Sequence, residues 1–345
     1  MTTILLAHDA FLAGEAKTAE AILRYGQDPV VAVIDRKAGP EASAEEVVGE
    51  RGACVPVVPT LEDALAFDPD RLVIGVAPVG GRLPPAWRED VREALMAGVS
   101  VVSGLHEFLV DDEEMVAAAE HGGATIQDLR KPPAGKPIYT GEVLDLDATI
   151  VTTVATDCSS GKMTTAVELV RALRDRGTAA AFVATGQTGL AIGADAGAVV
   201  DAVPADFVAG WTEQLILQAH EATGAEVIVV EGQGSITHPA YAGVSLGLLH
   251  GSSPHACVLC HDAQRPHKTA SFHRGRRFPV HDPAREWALI QELASAIREP
   301  TLAGVSLMHP SKDRDVLAEA FAPAPVVDVL HEEIIPLVQA VEALR

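Results

Sequence analysis

The stretch V-T-T-V-A-T-D-C-S-S-G-K-M-T-T, Val151 to Thr165, decides the architecture of the C-terminal half of the chain. An apolar, β-branched run enters it, and a helical pattern predicted over Met163–Arg176 leaves it. Between them, small residues and Gly161 let successive backbone N–H groups converge on one point. The helix start adds partial positive charge there, and Lys162 adds a full one. Such a nest suits a di- or triphosphate. The residues expected to hold it are Thr156, Asp157, Cys158, Ser159, Ser160, Gly161, Lys162, Met163, Thr164 and Thr165. The loop departs from G-x-x-x-x-G-K-[ST] in one respect: Met163 replaces the usual Mg²⁺-binding hydroxyl, leaving Thr164 or Thr165 to substitute at another angle.

A second element fits the first. Val227–Val230 reads as a buried strand ending in E-G-Q-G, Glu231 to Gly234. An acidic residue at such a strand end sits beside a phosphate loop and handles Mg²⁺ or a substrate proton. The plainer alternative is a capping carboxylate before a glycine turn.

Outward from these two elements, short apolar runs alternate with amphipathic ones, the pattern of βα units on parallel sheets. Strands are predicted at Thr3–Ala7, Val30–Asp35, Cys54–Val58, Arg71–Val76, Val99–Ser103 and Thr125–Asp128. Helices are predicted at Lys17–Tyr25, Ala44–Arg51, Leu61–Phe67, Pro85–Ala97 and Asp112–His121. In the second half, strands follow at Ala148–Ala155, Ala179–Thr185, Glu226–Glu231, Ala256–Cys260, Thr301–Met308 and Val326–Leu330. Helices are predicted there at Trp211–Thr223, Pro283–Ile297, Asp313–Ala320 and Ile334–Leu344. Lys131–Gly141 (K-P-P-A-G-K-P-I-Y-T-G) breaks both periodicities and reads as a linker. The expected fold is α/β, with two doubly wound domains: a Rossmann-like domain over residues 1–140 and a P-loop NTPase-like domain over 141–345. The first lacks G-x-G-x-x-G after its first strand, so Asp35 alone makes a weak case for a dinucleotide ribose.

Loops at the carboxyl ends of strands line the ligand crevice of an open α/β sheet. Gln187 and Thr188, in T-G-Q-T-G, fall at such a place and are candidates for substrate binding. Asp201 and Asp206 either meet a substrate ammonium or cap helices. His238 is a candidate proton shuttle or a solvated loop histidine. His261 and Arg265 follow another strand, and Arg265 suits bidentate capture of a carboxylate or a surface ion pair. Cys257 and Cys260 match a haem-attachment spacing, but strand alternation sends their sulfurs to opposite faces, so neither haem nor metal is expected. Cys158 lies at an electropositive helix start that lowers a thiol pKa, which admits a transient acyl carrier.

The 345 residues carry 26 Lys+Arg against 48 Asp+Glu, a formal net charge of −22. That excess argues against a nucleic-acid or anionic-membrane partner. Only seven of the cations are lysines, and an acidic, Lys-poor surface suggests a halophilic cytoplasm that screens self-repulsion. The opening residues read as a strand, not a signal peptide, and no apolar run reaches membrane-spanning length. Four cysteines do not make a disulfide framework.

T-D-C-S-S-G-K and E-G-Q-G resemble, over some thirty residues, the phosphate loop and strand end of dethiobiotin synthetase, a dimeric Mg-ATP enzyme. A resemblance over the whole chain is to the DgcN-like family, long catalogued as a family of unknown function. It rests on A-K-T-A (Ala16–Ala19) with Arg24–Tyr25, A-P-V-G-G-R-L-P (Ala77–Pro84) and T-D-C-S-S-G-K-M-T-T (Thr156–Thr165). It rests further on A-T-G-Q-T-G (Ala184–Gly189), D-A-V-P-A-D-F-V-A-G (Asp201–Gly210), E-G-Q-G-S-I-T-H-P-A-Y (Glu231–Tyr241) and L-C-H-D-A-Q-R (Leu259–Arg265). Ala155 departs from the glycine expected of the family. The resemblance implies a Rossmann-like domain followed by a P-loop domain. One branch acts as a D-glutamate N-acetyltransferase that uses acetyl-CoA and works with a racemase acting on N-acetylglutamate.

Three readings follow. In the first, the loop grips phosphates of acetyl-CoA, Glu231 or His238 takes a proton from the amine of a small acidic amino acid such as D-glutamate, and the amine attacks the thioester. In the second, an Mg-ATP ligase or kinase uses Thr164 and Glu231 on the metal. In the third, the chain is a non-enzymatic nucleotide-binding module. A homo-oligomer, a dimer or higher, is expected.

Overall fold

A computed structural model of the chain describes residues 1–76, 80–270, 272–309, 313–331 and 334–345. The first three residues of A-P-V-G-G-R-L-P lie outside them. The chain divides into two compact units, Met1–Lys131 with Leu190–Gly193, and Pro132–Gly189 with Ala194–Arg345.

The first unit carries β1 (Thr3–Leu6), α1 (Lys17–Tyr25), β2 (Val30–Ile34), α2 (Glu45–Val48), β3 (Val57–Val58) and α3 (Leu61–Leu65). It continues with β4 (Arg71–Ile74), α4 (Arg88–Met96), β5 (Ser100–Ser103), α5 (Glu113–Gly122) and β6 (Ile126–Asp128). The sheet is parallel throughout, in the order β3-β2-β1-β4-β5-β6, the doubly wound order of Rossmann-type domains. Asp35 does not face a nucleotide crevice. Its carboxylate accepts backbone N–H groups of Asp9, Leu12 and Lys37 at 2.9–3.1 Å, which consumes it in shaping the turn after β1.

The second unit carries β7 (Thr149–Ala155), α6 (Lys162–Asp175), β8 (Ala180–Ala184), α7 (Gln187–Ile192), β9 (Ala196–Gly197), α8 (Val208–Thr223) and β10 (Val227–Val230). After these come α9 (Ala242–Ser252), β11 (Ala256–His261), α10 (Pro283–Ala294), β12 (Thr301–Leu307), α11 (Arg314–Phe321), β13 (Val326–Asp328) and α12 (Ile335–Glu342). Its parallel sheet has the order β13-β12-β11-β7-β10-β8-β9. β7 therefore lies centrally between β10 and β11, with Val230 opposite Thr152 and Cys260 opposite Ala155. Both faces of β7 are covered, which is why it reads as an unbroken β-branched run and not an alternating one. Its buried hydroxyls are satisfied: Thr152 Oγ1 donates to Ser252 Oγ at 2.9 Å. On α6, Ala166, Leu169, Val170 and Leu173 are buried toward the sheet. Cutting the fully buried Leu169 back to alanine is expected to cost about 2–5 kcal/mol.

Most differences from the expected elements are at their ends, and each has a local cause. The helix predicted over Ala44–Arg51 stops at Val48, because Gly49 takes φ 69° and a 3-10 turn follows. The strand predicted from Cys54 is reduced to Val57–Val58. α9 has no counterpart in the prediction. Its sequence, A-G-V-S-L-G-L-L-H-G-S, has glycines at every fourth position and no apolar stripe. The glycines explain the helix: a Cβ on Gly247 would stand 2.7 Å from Val208 Cγ1, and one on Gly251 would strike the Ala209 carbonyl. α9 thus lies directly on α8, and its stability comes from that close approach rather than from propensity. The Pro/Gly-rich stretch is also less free than a linker. Glu213, fully buried on α8, accepts from Thr140 N, Thr140 Oγ1 and Gly141 N at 2.7–3.0 Å.

Candidate functional site

β7 ends at Ala155, and the loop 156–161 turns back over the carboxyl end of the sheet into α6. Two positive-φ residues make the turn, Ser159 at 51° and Gly161 at 91°. The φ of 91° is what favours glycine at 161, and an added Cβ would also displace the Met308 side chain. Lys162 is the first residue of α6, as a phosphate loop requires. Its side chain is buried and folds inward, and Nζ donates to the Asp157 carbonyl at 2.9 Å. A Cβ on Gly232 would strike the Thr153 carbonyl and come within 3.3 Å of Lys162 Cδ. The glycine of E-G-Q-G is therefore what lets the β10 strand end pass beside the loop lysine. Burial lowers the Lys162 pKa, against the pull of Cys158, Cys260, Asp157 and Glu231.

Glu231, one residue beyond β10, is 6% exposed. Its Oε2 accepts from Thr185 N at 3.1 Å, and Gln233 and Thr185 close a ring of hydrogen bonds around it. Gly189 leaves room for it, since a Cβ there would stand 2.8 Å from Oε2. Burial pushes the Glu231 carboxyl up to about 7, with the nearby charge of Asp201 adding to the rise and Lys162 opposing it. Gln187 and Thr188 open α7 next to this carboxylate and are half-buried.

A second layer comes from the segment after β11. Asp157 Oδ2 accepts from Thr269 N and Thr269 Oγ1, both at 2.8 Å, and from Arg265 Nη1 at 3.3 Å. Arg265 also donates to the Ser159 carbonyl at 2.7 Å and to Asp262 at 2.6 Å. Lys268, itself buried, donates to the Thr156 carbonyl, Ser235 Oγ and Thr237 Oγ1 at 2.6–2.9 Å. Thr237 in turn donates to the buried Glu286 at 2.6 Å. His261 Nδ1 meets Thr156 Oγ1 at 2.8 Å, and burial lowers the His261 pKa. Arg265 and His261, candidates for substrate binding, therefore lie at the phosphate loop, with Arg265 engaged by Asp262, Asp157 and the Ser159 carbonyl. Lys268, Thr269 and Glu286 escaped the sequence reading. The one available signal was a scarce lysine inside R-P-H-K-T, on a stretch with no periodicity.

Four expectations need correction. His238 is not a solvated base. It is fully buried, its Nδ1 accepts from Ala240 N at 3.1 Å, and Nε2 therefore carries the proton and donates to the Thr269 carbonyl at 2.9 Å. With both nitrogens used, it holds the loop 235–241 against the segment that carries Thr269, stacked on Tyr241 at 4.5 Å. Cys158 does not have a depressed pKa: burial raises it and outweighs Lys162, Lys268 and Arg265. Thr165 does not face a ligand, since its Oγ1 lies 2.7 Å from Ser306 Oγ in the core. The helix-cap alternative for Asp206 is not realised: it is exposed on a 3-10 turn ahead of α8, and that helix has no side-chain cap. Among the described residues, Asp157, Cys158 and His238 bring ligand-type atoms within 4.8 Å of one another. The His238 tautomer leaves no lone pair on Nε2, so the trio does not fit a metal ion.

Two family models cover most of the chain. One, described as a domain of unknown function and a P-loop domain (DUF1611_C), matches residues 137–337. The other, a Rossmann-like domain of unknown function (DUF1611_N), matches residues 36–132. The chain belongs to the DUF1611 family. A crystal structure of a DUF1611 family protein from Anabaena variabilis superposes with a TM-score of 0.89 at 34% identity, covering 99% of both chains. Two curated relatives carry the name D-glutamate N-acetyltransferase. The one from Pseudoalteromonas sp is 40% identical over 201 residues, 58% of this chain and 59% of the relative. The one from Tritonibacter scottomollicae is 41% identical over 208 residues, 60% of this chain and 61% of the relative. The matched stretch thus spans about three fifths of each curated relative. The resemblance read from the motifs holds, and so does the order of Rossmann-like and P-loop domains in this DUF1611 chain. No helix among its described residues is long and apolar enough to cross a membrane.

Proposed function

We propose that this DUF1611 protein is an N-acyltransferase that moves an acetyl group from acetyl-CoA to the amine of a small acidic amino acid, D-glutamate first among them. The observation that carries the reading is a buried carboxyl, Glu231, poised at about 7 beside the lysine of a phosphate loop. The relatives named D-glutamate N-acetyltransferase support the choice of acyl group and acceptor.

The residues suit a phosphorylated co-substrate. Gly161 keeps the α6 N-terminus open, the 14 residues of α6 contribute about four turns of aligned dipole, and Lys162 lies within side-chain motion of the loop mouth. Glu231, ionised above about pH 7, accepts the proton that the substrate ammonium must lose before its nitrogen becomes a nucleophile. The amine nitrogen forms its bond to the thioester carbonyl carbon as the C–S bond breaks, and coenzyme A leaves as the thiol with the nitrogen's second proton. Lys162 and the loop N–H groups fix the co-substrate, and the inward fold of Lys162 onto Asp157 O is released when phosphate takes that carbonyl's place.

The competing Mg-ATP reading is disfavoured by the first turn of α6. Met163 offers no hydroxyl and Thr165 is buried against Ser306, which leaves a metal only Thr164, one position past the usual ligand. Calorimetric titration of acetyl-CoA and ATP, each with and without EDTA, tests the choice. Acetyl-CoA binding should survive chelation, and Lys162→Ala should weaken it roughly tenfold to a hundredfold, the worth of a charge-assisted hydrogen bond. ATP binding that vanishes with EDTA, with no affinity for acetyl-CoA, would overturn the proposal.

A further inference from the structure

The segment His261–His281 runs against the charge of the whole molecule. It holds five Lys and Arg against the single acid Asp262, in a chain whose net charge is −22. Its two arms pair as a short antiparallel hairpin. His267 lies opposite Pro279, Lys268 N donates to the Phe278 carbonyl at 2.8 Å, and Val280 N donates to the Pro266 carbonyl at 3.0 Å. The root of the hairpin is bound to the phosphate loop through Arg265, Lys268 and Thr269. Phe272 packs edge-on against Phe278 at 4.8 Å and lies 6.0 Å from the His238 ring, which stiffens the far end.

That far end carries Arg274, Arg276 and Arg277, all exposed. Among the described residues, no hydrogen bond or ion pair engages their side chains. Elsewhere Arg71, Arg88, Arg92, Arg174 and Arg176 each hold a carboxylate, and the exposed Arg82 and Arg285, which hold none among the described residues, stand singly in the sequence. With 48 acidic residues available, three unpartnered arginines within four positions of one hairpin tip mark a place kept for an anion from outside. Arg277 stands two residues beyond the His267–Pro279 pair, on the order of 7 Å along the strand.

We infer that the hairpin tip is a second anion subsite, in which Arg274, Arg276 and Arg277 bind a phosphate of the same co-substrate whose other phosphates lie on the Lys162 loop. The inference rests on the acetyl-CoA reading and deepens it. Coenzyme A carries its 3′-phosphate one ribose away from its pyrophosphate, so two separated anion sites select it over molecules with one phosphate cluster. Guanidinium suits the task because its planar fork donates bidentately to phosphate oxygens. The overall charge of −22 argues against a nucleic acid or an anionic lipid surface as the occupant.

The test is calorimetric titration of the full chain with coenzyme A and with dephospho-coenzyme A, which lacks only the 3′-phosphate, at one fixed ionic strength. The native chain should bind coenzyme A about tenfold or more tightly than the dephospho form. Arg274→Gln/Arg276→Gln/Arg277→Gln should bring that ratio close to one while leaving the affinity for the dephospho form unchanged, which also shows that the variant is folded. Arg36→Gln/Lys37→Gln/Arg51→Gln, which removes three exposed cations from the first unit, should keep the native ratio. A triple hairpin variant that keeps the ratio, or that loses both ligands equally, overturns the subsite alone. A native chain that binds both ligands equally also overturns it. A native chain that binds neither overturns the subsite and the acetyl-CoA reading together.

Discussion

Glu231→Gln is an isosteric change that removes the charge from the most strongly placed carboxyl in the site, and its consequences differ with pH. In the folded chain Glu231 titrates at about 7, against 4.5 for an ordinary glutamate. Between those values the folded state holds a proton that the unfolded state has lost, so stability falls as pH rises from 4.5 to about 7. Above that window the full penalty is present, and the difference of two to three pKa units sets it at about 3 kcal/mol. Glutamine carries no such penalty and still offers an oxygen to Thr185 N. Denaturant unfolding should therefore find the variant more stable than the native chain by about 2–3 kcal/mol at pH 8.5, with the advantage gone near pH 4.5. Activity should move the other way. The native rate at limiting amino acid should rise through about pH 7 and level off, and the variant should lose roughly a hundredfold to ten-thousandfold, the worth of a general base. A variant whose advantage over the native chain is no larger at pH 8.5 than at pH 4.5 would refute the buried-carboxyl argument. Undiminished turnover would refute the role of Glu231 as base.

Three further outcomes are expected. The acidic surface calls for screening, so the melting temperature should climb between low and molar KCl; a flat profile removes the halophilic reading. Lys268→Met deletes three buried hydrogen bonds that join the phosphate loop to Ser235 and Thr237. It should cost about 3 kcal/mol or more in denaturant unfolding, as removal of one member of a buried charged network does; a loss below ~1 kcal/mol would show that the network does not hold the loop. His238→Asn keeps a polar side chain but not the stack on Tyr241, and should lower stability without shifting the pH profile set by Glu231; a shifted profile would return His238 to the chemistry.

What could be read from the sequence had local causes. β7, the loop and α6 are contiguous, and β-branched residues, glycine and helix periodicity each speak over a few positions. The E-G-Q-G strand end was legible for the same reason, and Gly232 beside Lys162 explains why glycine must follow Glu231. The second layer was not legible. Lys268 meets Thr156 across 112 residues and Arg265 meets Ser159 across 106, distances over which no spacing rule operates. α9 was hidden because its determinants are missing side chains, at Gly247 and Gly251, that only the neighbouring α8 makes meaningful. The Cys158 thiol was misjudged because helix-start charge is visible in a sequence and burial is not.

The central claim is acyl transfer from acetyl-CoA to an acidic amino acid. Its most direct test is release of free thiol from acetyl-CoA by the full chain in molar KCl, measured against a panel of D- and L-amino acids with EDTA present. The expected result is thiol release that depends on D-glutamate, persists in EDTA and disappears in Lys162→Ala. Absence of thiol release with every amino acid, alongside Mg²⁺-dependent turnover of ATP, would contradict the account.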